Sequence, residues 1–266
     1  MQDDSAVPRA PFELVPRDDI DTAVRVFHRD GFVAIDKGLS ATQLQFARQG
    51  AQRVIDEQTT AIPLQKANRG HARYSFGPQH HHPEWTQLIE IPHLLTLMEA
   101  IWGSDSFHCS GAGGDYSLPG ARIQALHSDM GDSLNDPDGR VTIFDMPTPF
   151  VVINFPMVDF CRQNGATRFV PCTHRTRLRP PPLEHEPQWM QESIVEVPAG
   201  TALVRDVRCW HGGTANDSQQ TRAMTSVGYY APWFHRPGGP TEPIPRDLYD
   251  SLGDRGRRMC RQLVEI

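Results

Sequence analysis

The 266-residue sequence predicts a mainly β fold, a sandwich or barrel with helices in front of it, on three observations. Helical periodicity dominates roughly the first 105 residues. From about residue 107, short apolar stretches recur between glycine and proline punctuation, as antiparallel sheets require and parallel βαβ units do not. Neither an internal repeat nor a linker interrupts the chain. The expected organisation is therefore one domain over 1–266, with a helical flank and lid segments over about 1–105. The barrel follows over about 106–232, and a tail over 233–266.

Taken in order, DDIDTAVRVFHR at 18–29 reads as an amphipathic helix with acidic residues in its first turn, where the helix dipole favours them. Gly31 stops it, and FVAID at 32–36 is a short strand. Ser40 with Gln43 three residues on gives a capping pattern for a helix to about Glu57. Residues 58–83 are polar, Pro83 opens a further helix, and LIEIPHLLTLMEAIWG keeps helical spacing to Gly103. The strands then follow as FHCSGAGGDYSL, RIQALH, FVVINFPMVDF, TRFVP, SIVEVP, TALVRD and MTSVGYYAPW. Proline-rich loops lie at 147–149 and 180–187.

Composition excludes several classes. With 38% hydrophobic residues the chain can bury a sizeable core. The 23 prolines and 21 glycines are scattered among apolar runs, which argues against general disorder. A net charge of −6 with no basic patch argues against a nucleic-acid partner. The five cysteines are widely spaced and hold no CxxC pair, so a disulfide framework or structural zinc site is not expected. No signal-peptide pattern opens the chain, and no run nears the ~18–20 apolar residues that cross a bilayer. The expected setting is cytoplasmic, with a small-molecule partner and a homodimer allowed.

The chemistry concentrates in two segments. In RIQALHSDMGD, His127 and Asp129 lie two apart, so on a strand both side chains leave the same side. Alone this pair is a common surface pattern. In GTALVRDVRCWHGGTANDSQQTRAMTSVGYY, read as strand, turn, strand, loop, strand, His211 precedes two glycines and Arg222 follows eleven residues on. Two imidazoles and one carboxylate form the facial triad of non-haem iron oxygenases. An arginine fork suits a dicarboxylate.

HSD at 127–129, NGATRFVPCTHR at 164–175 and WHGGTANDSQQTR at 210–222 resemble the phytanoyl-CoA dioxygenase family, and the likeness runs from DGFVAID near 30 to YYAP near 232. The resemblance implies a double-stranded β-helix (jelly-roll, cupin-like) core with N-terminal helices, and iron(II), 2-oxoglutarate and dioxygen as participants. It implies His127, Asp129 and His211 as iron ligands and Arg222 as partner of the distal 2-oxoglutarate carboxylate. Gln124 and Thr167 are implied as further co-substrate contacts, with Arg73 or Arg69 helping, and Ser226, four residues past Arg222, faces the same way on a strand and is expected to share that carboxylate. Asp129 stands where related halogenases carry a small residue, so hydroxylation or another oxidation is favoured over halogenation. A metal-independent isomerase or a non-catalytic binding partner on the same barrel would be expected to have lost part of this set.

Substrate contacts are expected from loops at 66–82, 130–149 and the tail from 232, including Tyr74, Phe76, Met130, Phe144, Trp233 and Phe234 with Arg73 and Arg140. A medium-sized, partly apolar organic molecule fits them. His80, His81 and His82 read as a solvated loop, because consecutive rings cannot converge on one point. Cys209 and Cys172 read as small buried hydrophobes, Trp210 and Phe169 as core or wall residues, and Asn164 with Gly165 as a turn.

Overall fold

The computed structural model describes residues 13–236 and 242–264. Residues 1–12, on which the leader reading rests, and part of the predicted tail lie outside the described residues.

In chain order the elements are β1 (Leu14–Val15), α1 (Ile20–Asp30), β2 (Phe32–Ile35), α2 (Ala41–Ala61), β3 (Arg73–Ser75), α3 (Pro83–Thr86), α4 (Pro92–Trp102), β4 (His108–Ser117), β5 (Phe150–Pro156), β6 (Thr167–Phe169), α5 (Gln188–Gln191), β7 (Ala202–Asp206), β8 (His211–Gly213), β9 (Arg222–Tyr230), α6 (Arg246–Ser251) and α7 (Asp254–Cys260). Asp19 and Gly31 cap α1, the latter with a left-handed φ of 84°. The Ser40–Gln43 capping box opens α2 as the sequence indicates, and the helix runs to Ala61, past the predicted Glu57.

A seven-stranded sheet has the order β1-β2-β7-β5-β9-β4-β3. Only the β1–β2 edge is parallel. The small sheet pairs β6 with β8. Isolated bridges extend it on both sides, through His127–His211 and Arg168–Ile194. Two antiparallel sheets facing each other make the jelly-roll architecture, with the helices on the outer face of the large one.

Strand alternation assigns the two faces. Val151, Ile153 and Phe155 of β5, Ala202 and Val204 of β7, and Ala223, Val227 and Tyr229 of β9 join the main core with Phe27, Val54, Trp85 and Leu94 of the helices. The intervening residues, Val152 and Asn154, Arg205, and Arg222, Met224 and Ser226, line a cavity between the sheets. Register brings them side by side: Val152 pairs with Arg205, and Asn154 with both Leu203 and Ser226. Burial of one face and polar lining of the other thus follow from the same period of two.

Five expectations need correction. RIQALH is not a regular strand, since its only ladder contact is the bridge at His127. SIVEVP likewise makes only isolated bridges. Tyr74 and Phe76 are core residues, 0% and 2% exposed, because their segment forms the edge strand β3 and its exit, stacking Tyr74 on Tyr116 at 4.9 Å. His80 is buried rather than solvated, tucked beneath Gly111, while His81 faces Glu242 at 3.5 Å. Cys209 is buried, but Cys172 is exposed, at a turn with φ of 64°. The tail contributes α6 and α7, and Met259 and Cys260 of α7 enter the main core.

Candidate metal centre

The small sheet and the strand-like segment before it carry the three candidate donors. His211 opens β8, and its backbone exchanges hydrogen bonds with His127 in both directions, N–O 3.0 and 2.9 Å. That pairing brings the two rings to 4.4 Å between centroids. Asp129, held by its own N–H on Val207 O at 3.0 Å, returns toward both rings. Its Oδ1 lies 3.8 Å from His127 Nε2 and its Oδ2 3.6 Å from His211 Nε2. The donor atoms of His127, Asp129 and His211 all lie within 4.8 Å of one another, and this is the single such grouping among the described residues. His80, His81 and His82 form no comparable set.

The donor chemistry fits one metal ion. Donors sharing a first-row ion at roughly 2.0–2.2 Å stand about 3–4 Å apart, the spacing seen here. His127 Nδ1 lies 3.2 Å from Ala125 O and His211 Nδ1 3.0 Å from Cys209 O. Each carbonyl fixes the proton on Nδ1, which leaves the Nε2 lone pair facing Asp129. Burial first, and the nearby Arg205 guanidinium second, push His211 down to about 3, so its imidazole is neutral at neutral pH.

Arg205 is the residue that sequence reading missed. It donates from Nη2 to Asp129 Oδ2 at 2.6 Å and from Nε to Asn154 Oδ1 at 3.2 Å. Burial alone would raise the Asp129 carboxyl, but Arg205 and the two histidines outweigh it and hold the group well below the usual carboxylate range. With one oxygen engaged by Arg205, Oδ1 is left as the free donor. A signal did exist: the arginine in TALVRD interrupts an apolar strand in phase with its cavity-facing positions.

The cavity above this cluster, about 200 Å³ in volume, is lined by the residues the sequence singled out, including Arg69, Arg73, Gln124, Thr167, Arg222 and Ser226. Arg222, 1% exposed, donates to Asp115 Oδ1 at 2.8 Å and to Gly165 O at 3.0 Å. Arg73 donates to Thr214 O at 2.8 Å, while its buried Nη1 has no hydrogen-bond partner among the described residues. Burial and the neighbouring Arg222 lower Arg73 to about 10, which still leaves it charged. A Cβ on Gly213 would stand 2.3 Å from Arg73 Nη1, so the second glycine after His211 is the gap through which Arg73 enters. Gln124 Oε1 accepts from Gly213 N at 3.0 Å, and Thr167 Oγ1 lies 3.9 Å from Met224 Sδ. Phe169 is a cavity wall residue, as expected, stacked on His211 at 5.9 Å, and Trp210 is buried. Burial raises the Cys209 thiol to about 12, which keeps it inert.

A jelly roll whose inner cavity joins a cluster of two histidines and one aspartate to a bank of arginines has the layout of a single-metal barrel protein. The chain matches the phytanoyl-CoA dioxygenase (PhyH) family over residues 27–224 and belongs to that family. It is similar to dioxygenase af480 of Aspergillus fumigatus, 26% identical over 63% of this chain and 52% of that protein. The Fe(II)/2-oxoglutarate-dependent dioxygenase nvfF of Aspergillus novofumigatus is 27% identical over 53% of this chain and 44% of that protein. The chain thus spans about half the length of the curated relatives it matches. Among solved structures it resembles the non-heme alpha ketoglutarate dependent epimerase SnoN from nogalamycin biosynthesis, at TM-score 0.60 and 18% identity over 80% of this chain and 83% of that one. HygX from Streptomyces hygroscopicus, solved with nickel, 2-oxoglutarate and hygromycin B bound, gives TM-score 0.58 and 15% identity over 85% and 90%. At these identities the structural likeness establishes the fold.

Proposed function

We propose that this chain is an iron(II)- and 2-oxoglutarate-dependent oxygenase that oxidises, by hydroxylation, a small or medium-sized organic molecule. The carrying observation is the convergence of His127, Asp129 and His211, with donor atoms within 4.8 Å of one another, in an arginine-lined cavity. The dioxygenase family match and the name of the nvfF relative support the choice of cofactor and co-substrate.

In this reading His127, Asp129 and His211 hold the iron. Bound iron supplies the activation of dioxygen, with 2-oxoglutarate oxidised to succinate and carbon dioxide as the substrate is oxidised. The rest is the work of the chain. The backbone carbonyls of Ala125 and Cys209 hold both Nδ1 protons. Arg205 keeps Asp129 anionic and restricts it to one free oxygen. Arg222 and Arg73 take the distal carboxylate of the co-substrate, Arg73 through its unpartnered Nη1. Gln124, Thr167 and Ser226 border that carboxylate.

At one edge of the cavity Val152 joins an apolar cluster formed by Met130, Ile143 and Val207 with Phe144, Met146, Phe150 and Phe234 against it. That wall accepts a partly apolar substrate and excludes water from the reacting centre. The intact carboxylate at 129 disfavours halogenation, since a halide needs the place it fills. Related structures named as an epimerase and a carbocyclase show that members of this fold carry other outcomes in their names. Product analysis with a candidate substrate distinguishes a hydroxylated product from these.

The test is anaerobic addition of iron(II) and then 2-oxoglutarate. A weak visible charge-transfer band is expected for the wild type and none for His127→Ala. A protein that binds neither component, or a His127→Ala variant with the same band, contradicts the proposal.

A further inference from the structure

The segment that carries His127 borders β8 without becoming a regular strand, held there by Gln124 N–H on Gly213 O at 2.9 Å and by the two backbone bonds between His127 and His211. Residues 122–126 form no ladder, and at Gln124 the pattern breaks: Gly213 N–H donates to the Gln124 side chain at 3.0 Å instead of to its carbonyl. The displaced carbonyl is taken from elsewhere. Arg168 Nη2 donates to Gln124 O at 2.6 Å. Two residues further, Leu126 N–H donates to Glu186 Oε1 at 3.0 Å. Arg168 and Glu186 in turn pair with each other, at 2.5 Å from Nη1 to Oε2 and 3.2 Å from Nη2 to Oε1, with both side chains 0% exposed.

Arg168 is the middle residue of β6, between Thr167 and Phe169, which line the cavity. It is in register with Gly212 of β8. To reach Gln124 it spans β8 on the face away from the cavity. A Cβ on Gly212 would stand 3.2 Å from the Gln124 carbonyl that Arg168 holds, tighter than ordinary contact. The two glycines after His211 therefore serve opposite faces: Gly213 leaves room for Arg73 in the cavity, and Gly212 keeps the outer side clear at the carbonyl Arg168 grips.

Two fully buried charges are costly to desolvate, and apolar residues of like volume often replace such a pair without loss of stability. What the pair provides here is position. Guanidinium and carboxylate each hold one end of a three-residue stretch, Gln124 to Leu126, immediately before a candidate ligand. We propose that Arg168 and Glu186 are positioning residues that lock the backbone ahead of His127 and so set its Nε2 against Asp129 and His211. The proposal rests on the reading of these three residues as metal ligands.

The experiment titrates the full chain anaerobically with cobalt(II) alone, recording affinity, the visible ligand-field spectrum and thermal stability. Variants are His127→Ala, Arg168→Lys and the double replacement Arg168→Met with Glu186→Met. Wild type binds cobalt and His127→Ala does not; failure of that difference removes the ligand reading itself, and the clamp with it. Given that difference, the folded double variant loses about 100-fold in affinity with an altered spectrum. Arg168→Lys, whose ammonium pairs with Glu186 but lacks the rigid fork, recovers part and sits near tenfold. A folded double variant with wild-type affinity and spectrum overturns the proposal while leaving the ligands in place. If the double variant does not fold, Arg168→Lys decides: about a tenfold loss supports the clamp, and wild-type binding overturns it.

Discussion

Gly213→Ala is the smallest change that should separate co-substrate binding from metal binding. The added methyl would lie 2.3 Å from Arg73 Nη1, 2.7 Å from its Cζ and 2.9 Å from Nη2. Carbon–nitrogen contacts that short do not persist, so the guanidinium must move by about an ångström or more. Arg73 is 2% exposed and fastened by Nη2 to Thr214 O at 2.8 Å and Arg122 O at 3.2 Å, so its movement breaks at least one of these bonds. Gly213 has no positive φ, so alanine adds no backbone strain of its own. One hydrogen bond from a charged donor contributes about 1.5–3 kcal/mol. If that is also what Arg73 gives the distal carboxylate, the Kd for 2-oxoglutarate rises about 10- to 150-fold. Cobalt(II) or iron(II) affinity should stay at the wild-type value, because Arg73 touches none of the three donors. Anaerobic calorimetry with metal first and 2-oxoglutarate second reads both constants. Wild-type affinity for 2-oxoglutarate in a folded Gly213→Ala protein would refute the assignment of Arg73.

Arg222→Lys should weaken 2-oxoglutarate binding by tenfold or more, about 1.4 kcal/mol, with metal affinity unchanged, since an ammonium cannot serve Asp115, Gly165 and a carboxylate at once; equal loss of both constants would contradict it. His211 is lowered to about 3, so below its unfolded value near 6.5 the unfolded chain takes up the proton and the folded chain does not. Stability of the metal-free protein should therefore fall as pH drops from roughly 7 to 5, by about 2 kcal/mol from this group, and His211→Asn should flatten that slope in denaturant melts. Glu90 accepts from Gly253 N and Gly256 N at 2.8 and 2.6 Å and so caps α7. Glu90→Ala should cost about 2 kcal/mol and raise hydrogen exchange in α7 first.

Much of this was legible in the residues, for physical reasons that differ by element. Capping chemistry is local, so Ser40 with Gln43 and Gly31 marked helix ends correctly. Period-two alternation is local too, and β5, β7 and β9 fall where it places them. RIQALH departs from a strand because between its backbone bonds to β8 at Gln124 and His127 its partners are side chains from distant segments: Glu186 lies 60 residues from Leu126, and nothing near either announces the contact. Tyr74 and Phe76 failed because a polar-looking stretch hid a three-residue edge strand. Arg205 lay between the two cases. An arginine inside an apolar strand demands a buried partner, but only the fold says that the partner is Asp129.

The central claim is that His127, Asp129 and His211 form a redox-competent iron centre fed by 2-oxoglutarate. Its most direct test is succinate formation from 2-oxoglutarate under dioxygen, followed for the iron(II)-loaded wild type beside His211→Ala. The account predicts succinate from the wild type, stopped by chelating the iron and absent in the variant. Undiminished succinate from His211→Ala, or none from a wild type shown to bind both iron and 2-oxoglutarate, would contradict it.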